Sequence, residues 1–197
     1  MLVTAALSFG LVLLAELPDK TMFASLLLGT RFAARWVFLG AAAAFLVHVV
    51  IAVAAGSLLA LLPHRVLEFI VAALFLLGAA FMLRESFQQE EDDAEAAVAR
   101  TPAGRDAWTA VASSFAVIFV GEWGDITQIT TANLAARYHQ PLAVGVGATL
   151  GLWCAALIAI TAGRSLLRVV SVTLLHRVGA AIFFGLAVYT LVEALRG

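Results

Sequence analysis

Leu11-Val12-Leu13-Leu14-Ala15-Glu16-Leu17-Pro18-Asp19-Lys20-Thr21-Met22-Phe23-Ala24-Ser25-Leu26-Leu27-Leu28 is an apolar run with charged residues at its centre. Its length suits a bilayer-spanning helix. A charge at the bilayer centre costs at least ~2.5–3.5 kcal/mol, so Glu16, Asp19 and Lys20 need a functional or a pairing reason to be there. The pattern returns in a second apolar run, at Glu122-Trp123-Gly124-Asp125-Ile126-Thr127-Gln128. Two acids at i and i+3 of a continuous helix share one face, so each motif is expected to aim a pair of carboxylates in one direction.

Working outward, the chain is 63% hydrophobic and 13% charged, too apolar to cover a soluble domain of 197 residues. Six spans are expected, approximately Leu2 to Leu28, Trp36 to Leu62, Val66 to Leu83, Ala107 to Leu134, Leu142 to Ala162, and Val172 to Leu195. The first is read as a span and not a cleaved leader, because it lacks a basic start and a small-x-small cleavage site. Trp36 and Trp108 stand at span starts, where indoles favour the headgroup region. Cys154 is the only cysteine, which excludes an internal disulfide and a cysteine-rich metal site. No resident cofactor and no nucleic-acid partner are expected. The lipid bilayer is an expected partner, and a homodimer is compatible with such a chain.

Residues 85–106 form an acidic linker between two similar halves, 1–84 and 107–197, with Asp106 placed to cap the fourth span. Ala55-Gly56 is matched by Ala162-Gly163, and His64-Arg65 resembles His176-Arg177. Three spans per half force the halves into opposite directions, so the expected fold is all-α, six transmembrane helices as two inverted three-helix repeats. Eight arginines, at 31, 35, 84, 100, 105, 164, 168 and 177, fall on one side, against Arg65, Arg137 and Arg196 on the other. That bias puts the linker in the cytoplasm and both termini outside, in a cell membrane. Arginine over lysine and abundant alanine point to a bacterial source.

The inverted halves would bring both acidic pairs together near the midplane. Glu16, Asp19, Glu122 and Asp125 with Lys20 sum to −3 when all are ionised. Carboxylates that close cannot all stay ionised in a low dielectric without a cation or bound protons, which favours exchange of a divalent cation for protons. Lys20 can neutralise one acid as a packing salt bridge, but three would remain. Pro18 and Gly124 are helix breakers, and broken helices lend carbonyls to ions. Thr21, Thr127 and Gln128 follow the acids closely, though membrane hydroxyls often bond back to their own helix. His48, mid-span, is a candidate nitrogen ligand or proton relay, or a packed residue. Glu68 and Glu193 read as helix-end residues, and Gly145, Gly147 and Gly151 as close helix packing.

These motifs resemble those of the calcium/manganese–proton antiporter family, which includes Golgi ion-homeostasis proteins and bacterial manganese exporters. Its signature is a duplicated E-x-G-D-[KR]-[ST]. Glu16, Asp19, Lys20 and Thr21 match the first copy, and Glu122, Gly124, Asp125 and Thr127 the second, while Pro18 and Ile126 depart from it. The resemblance implies a transporter and not an enzyme: Mn²⁺ in exchange for protons, with Ca²⁺ the alternative and a cation channel less favoured. Glu16, Asp19, Glu122 and Asp125 would bind the ion, and Lys20 would be the counter-charge. An intramembrane aspartyl protease needs two aspartates sharing a proton, which a repeated Glu-x-x-Asp does not supply.

Overall fold

The computed structural model describes residues 1–17, 20–87, 90–101, 106–169 and 172–196, and among them every regular element is a helix. Pro18 and Asp19 lie outside the described residues, as do the side chains of Lys20 and Thr21. The order is α1 (Leu2–Glu16), α2 (Lys20–Arg31), α3 (Ala34–Leu59), α4 (His64–Glu85), α5 (Glu90–Ala99), α6 (Ala107–Gly121), α7 (Ile126–Tyr138), α8 (Pro141–Val169) and α9 (Val172–Arg196). Stretches in α3, α4, α8 and α9 are each long and apolar enough to cross a membrane: Ala34–Leu59, His64–Arg84, Pro141–Thr161 and His176–Leu195. The pair α6 and α7 makes a fifth candidate crossing, bent by 71° at its break.

The first and fourth spans are thus not single continuous helices, and in the fourth the interruption falls at the expected breaker Gly124. Helix α1 stops at Glu16 after 15 residues, a length of roughly 22 Å at 1.5 Å per residue, short of the hydrocarbon thickness. In the fourth, Gly124 takes φ +77°, a left-handed conformation that ends α6 and lets Asp125 cap α7. Further on, α7 ends at His139, also left-handed, and Pro141 opens α8.

Close glycine contacts set the helix directions. A Cβ on Gly40 of α3 would run into the Val111 carbonyl and Ser114 of α6, and His48 lies against Phe119 eight residues later. So α3 and α6 run in the same sense. In the other half, Gly147 of α8 meets the Ala5 carbonyl and Ser8 of α1, and Gly151 meets Phe9 and Leu13. These helices too run in the same sense, and Ser8 and Ser114 are both fully buried at their crossings. Helices α4 and α9 are antiparallel: Phe75 and Gly78 touch Phe183, while Met82 touches Gly179.

Arg137, in the last turn of α7, ties these layers together. It donates to Glu68 of α4 at 2.7 Å and to Thr190 of α9 at 3.0 Å, pairs with Glu193, and lies 5.2 Å from the Tyr189 ring. Glu68 and Glu193, read from the sequence as helix-end residues, are thus two arms of one ion-pair network. Arg31 occupies the matching place at the end of α2, but donates to the Val98 carbonyl of α5 at 2.8 Å. Val98 is buried beside Ala24, Leu28 and Val37, so the end of the acidic linker is docked against the helices. Asp106 caps α6, accepting from the Thr109 hydroxyl at 2.6 Å and the Thr109 amide at 2.9 Å. The hydroxyl first, then the amide, hold its carboxyl below the usual range. The stability from this cap is present above the ordinary aspartate pKa and is lost as pH falls through the lowered one.

Two outcomes follow in thermal unfolding of purified protein. Gly40→Ala and Gly147→Ala should each cost about 1–3 kcal/mol, because the new Cβ meets backbone and not a yielding side chain. Arg137→Met should cost about 3 kcal/mol by stranding the buried Glu68 carboxylate, and Glu68→Gln in the same chain should restore part of that loss.

Candidate metal centre

Glu16 is the last residue of α1, Glu122 follows the last residue of α6, and Asp125 caps α7. One carboxylate oxygen from each lies within 4.8 Å of the others. Glu16 and Glu122 are both 2% exposed, so two of the three sit away from solvent and lipid. None of the three is without an interaction partner. The sequence placed Glu122 and Asp125 side by side through helical spacing. They meet instead because the chain turns between them, with Glu122 closing one helix and Asp125 opening another at a steep angle.

The turn carries its own hydrogen bonds, as a helix break in hydrocarbon must. The Asp125 amide donates to the Glu122 carbonyl at 3.2 Å. The Asp125 carboxylate accepts from the Thr127 amide at 3.2 Å, with the Thr127 hydroxyl at 3.5 Å. This is the same side chain that reaches the cluster, so Asp125 both caps α7 and faces Glu16 and Glu122. The N-terminus of α7 adds a partial positive charge beside the carboxylates.

Of the other candidates, Gln128 and His48 meet at 3.0 Å between Gln128 Nε2 and His48 Nδ1. Gln128 Oε1 accepts from the Gly124 amide at 2.9 Å, and His48 Nε2 lies 3.0 Å from the Phe119 carbonyl. The imidazole is boxed by the Phe119 ring at 4.9 Å and the Trp123 ring at 5.7 Å. A cavity of about 10 Å³, room for about one water, lies between Glu122, His48, Thr127, Gln128 and Thr131. Thr130 and Thr131 bond back to the Ile126 and Thr127 carbonyls of their own helix. The proposed ligand Asp19 and the breaker Pro18 fall outside the described residues, and Lys20 and Thr21 enter this geometry only through the backbone of α2.

Sequence reasoning gives no site role to two polar residues, His176 and Asn133. His176 is 2% exposed near the start of α9 and lies within electrostatic reach of Asp125. In sequence it serves only as the repeat counterpart of His64. Asn133 is fully buried on α7, and its amide has no hydrogen-bond partner among the described residues. It shares a helix face with Thr130 and Arg137, so a polar stripe runs along α7 from the cluster to the Glu68–Arg137–Glu193 network.

Chemically, the cluster is a compact set of hard oxygen donors with no sulfur among them, suited to Mn²⁺, Ca²⁺ or Mg²⁺.

Comparison with known proteins adds the following. A family model described as "Divalent cation/proton antiporter GDT1" matches residues 4–90 and 110–197. A GDT1-like protein of Synechocystis sp. is 33% identical, over 93% of this chain and 95% of its own length. A chloroplastic GDT1-like protein of Oryza sativa subsp. japonica is 32% identical over 95% of this chain, which spans 61% of that longer protein. A Vibrio cholerae protein named "Putative manganese exporter" is 31% identical over 94% of this chain and 88% of its own length. No solved structure matches the chain.

The turn yields a local prediction. A Cβ at Gly124 would meet nothing within 4 Å, so Gly124→Ala strains only the backbone. It should cost about 1–2 kcal/mol in thermal unfolding, and Gly124→Asn should cost less, since Asn tolerates the left-handed region.

Proposed function

The chain belongs to the GDT1 family of divalent cation/proton antiporters, and on that premise we propose that it exports Mn²⁺ in exchange for protons at the carboxylate cluster. It is a membrane transporter and not an enzyme. The observation that carries the proposal is the convergence of Glu16, Glu122 and Asp125 within 4.8 Å, two of them buried, at helix ends inside apolar segments. Asp19 completes the site as the counterpart of Asp125, and Lys20 supplies a counter-charge when the ion is absent.

Exchange follows from electrostatics. A divalent ion neutralises two of the clustered charges and lowers the proton affinity of its ligands, so binding expels protons. Departure of the ion restores the repulsion and draws protons back. Neither ion nor protons can be absent from the cluster at low cost, which couples the two flows.

Alternation of access uses the inverted repeat, 1–84 against 107–197, with residues 85–106 as a cytoplasmic linker and six crossings in all. Support comes from helix directions. The broken first span is parallel to α8 and the broken fourth span to α3, while α4 and α9 are antiparallel. These are the relations that two oppositely inserted three-span halves produce. The arginine bias supports a cell membrane with both termini outside.

Mn²⁺ is placed first because the Vibrio cholerae relative is named for manganese export. A Ca²⁺/proton exchanger is the second reading, favoured by the all-oxygen character of the described cluster. Purified protein in liposomes should take up Mn²⁺ only against an imposed proton gradient, and a parallel series with Ca²⁺ ranks the two ions. Glu16→Gln and Glu122→Gln should each reduce exchange to the level of protein-free liposomes, since the amide keeps the shape but loses the charge and the titrating proton. Near wild-type exchange in either variant removes that carboxylate from the mechanism.

A further inference from the structure

His48 and Gln128 form a chain of hydrogen bonds whose direction is determined. The Phe119 carbonyl can only accept, so His48 Nε2 carries the proton and donates across 3.0 Å. The Gly124 amide can only donate, so the oxygen of Gln128 accepts from it across 2.9 Å. The Gln128 amide nitrogen is then the group facing His48 Nδ1 at 3.0 Å, and Nδ1 accepts. The reverse amide orientation would set donor against donor at Gly124 and acceptor against acceptor at Nδ1. One assignment satisfies every group, with a neutral imidazole.

Both imidazole nitrogens are committed in this assignment, so no lone pair is left for a cation. The chain starts in the last turn of α6, passes through α3, and returns to the turn at Gly124. Its anchor points bracket the two acids: Phe119 lies three residues before Glu122, and Gln128 three after Asp125. From this geometry we infer that His48 and Gln128 are a positioning pair, a neutral strut that holds the turn and thereby aims Glu122 and Asp125 at the ion, and that neither is a ligand or a proton relay. This rests on the carboxylate cluster being the transport site.

The strut belongs to one half only. His48 is eight residues beyond Gly40, and the place eight beyond Gly147 is Ala155. Gln128 is three beyond Asp125, and the place three beyond Asp19 is Met22. Alanine and methionine cannot make the same bonds, so this support is a device of the second motif.

The strut can be tested with full-length protein in liposomes and with labelled histidine in detergent. His48→Leu and Gln128→Leu should each raise the half-saturating Mn²⁺ concentration about tenfold, the scale of losing support behind a ligand. The double variant should be no worse than either single one. His48→Gln, which keeps a neutral donor and acceptor but cannot titrate, should recover most of the wild-type affinity, with the Mn²⁺ to Ca²⁺ ratio and the pH profile unmoved. A His48→Gln variant as impaired as His48→Leu, or one with an altered ion ratio or pH profile, overturns the inference. Nitrogen NMR of the wild type decides it even where a leucine variant does not fold. The His48 signals, assigned by their loss in His48→Gln, should show a protonated Nε2 and a bare Nδ1, unmoved by saturating Ca²⁺. A protonated Nδ1, or a shift of either nitrogen on adding Ca²⁺, overturns it. Absence of cation/proton exchange by the wild type would instead defeat the transport reading, and the NMR result would still report on the strut.

Discussion

Placing several carboxylates in one low-dielectric spot is the constraint on which the rest of this structure depends. A single buried carboxylate is costly to ionise, and three within 4.8 Å of one another multiply the cost through repulsion. Such a cluster is tolerable only with protons or a cation in it. The same instability that makes it expensive is what makes it responsive to both. Packing, helix breaks and hydrogen bonds around the cluster hold it together against that repulsion.

Helix breaks are the means by which the acids converge. Within a continuous helix a carboxylate points sideways, and neighbouring turns shield it from the far half of the molecule. At a helix end the chain can turn, and the carboxylate can project along the axis toward another helix end. Glu16 closes α1, Glu122 follows α6, and Asp125 opens α7, so three ends supply three carboxylates. A break in hydrocarbon exposes backbone groups that have no water to bond. Here the Asp125 side chain and the Gln128 amide satisfy them, and Gln128 is itself held by His48.

Glycine contacts between parallel helices and the arginines at the ends of α2 and α7 address a different need. Gly40 and Gly147 bring backbones together without side chains between them, giving close sliding surfaces of similar construction in both halves. The ends are unlike. Arg137 is gripped by Glu68 and Glu193, whereas Arg31 is held by a backbone carbonyl of the linker helix. The two arginines at matching places are thus fastened by unlike partners.

The sequence by itself determined a chain of membrane-spanning helices, the repeated acidic motif and the presence of acids inside apolar runs. Each of these is local: apolar run length measures a bilayer, and a charge inside such a run stands out against it. Residue spacing could not supply the path of the backbone through the motifs. Glu122 and Asp125 read as neighbours on one helical face, and only a left-handed Gly124 and a 71° bend show them as ends of two helices. His48 illustrates the same limit. In sequence it was equally a ligand, a relay or a packed residue, because those differ only in what faces its two nitrogens. Phe119 and Gln128 lie far from it along the chain, and only the packing of α3 against α6 and α7 brings them to its two nitrogens. Tertiary structure alone also joined Arg137 to Glu68 and Glu193, since an ion pair across three helices leaves no periodic trace in any one of them.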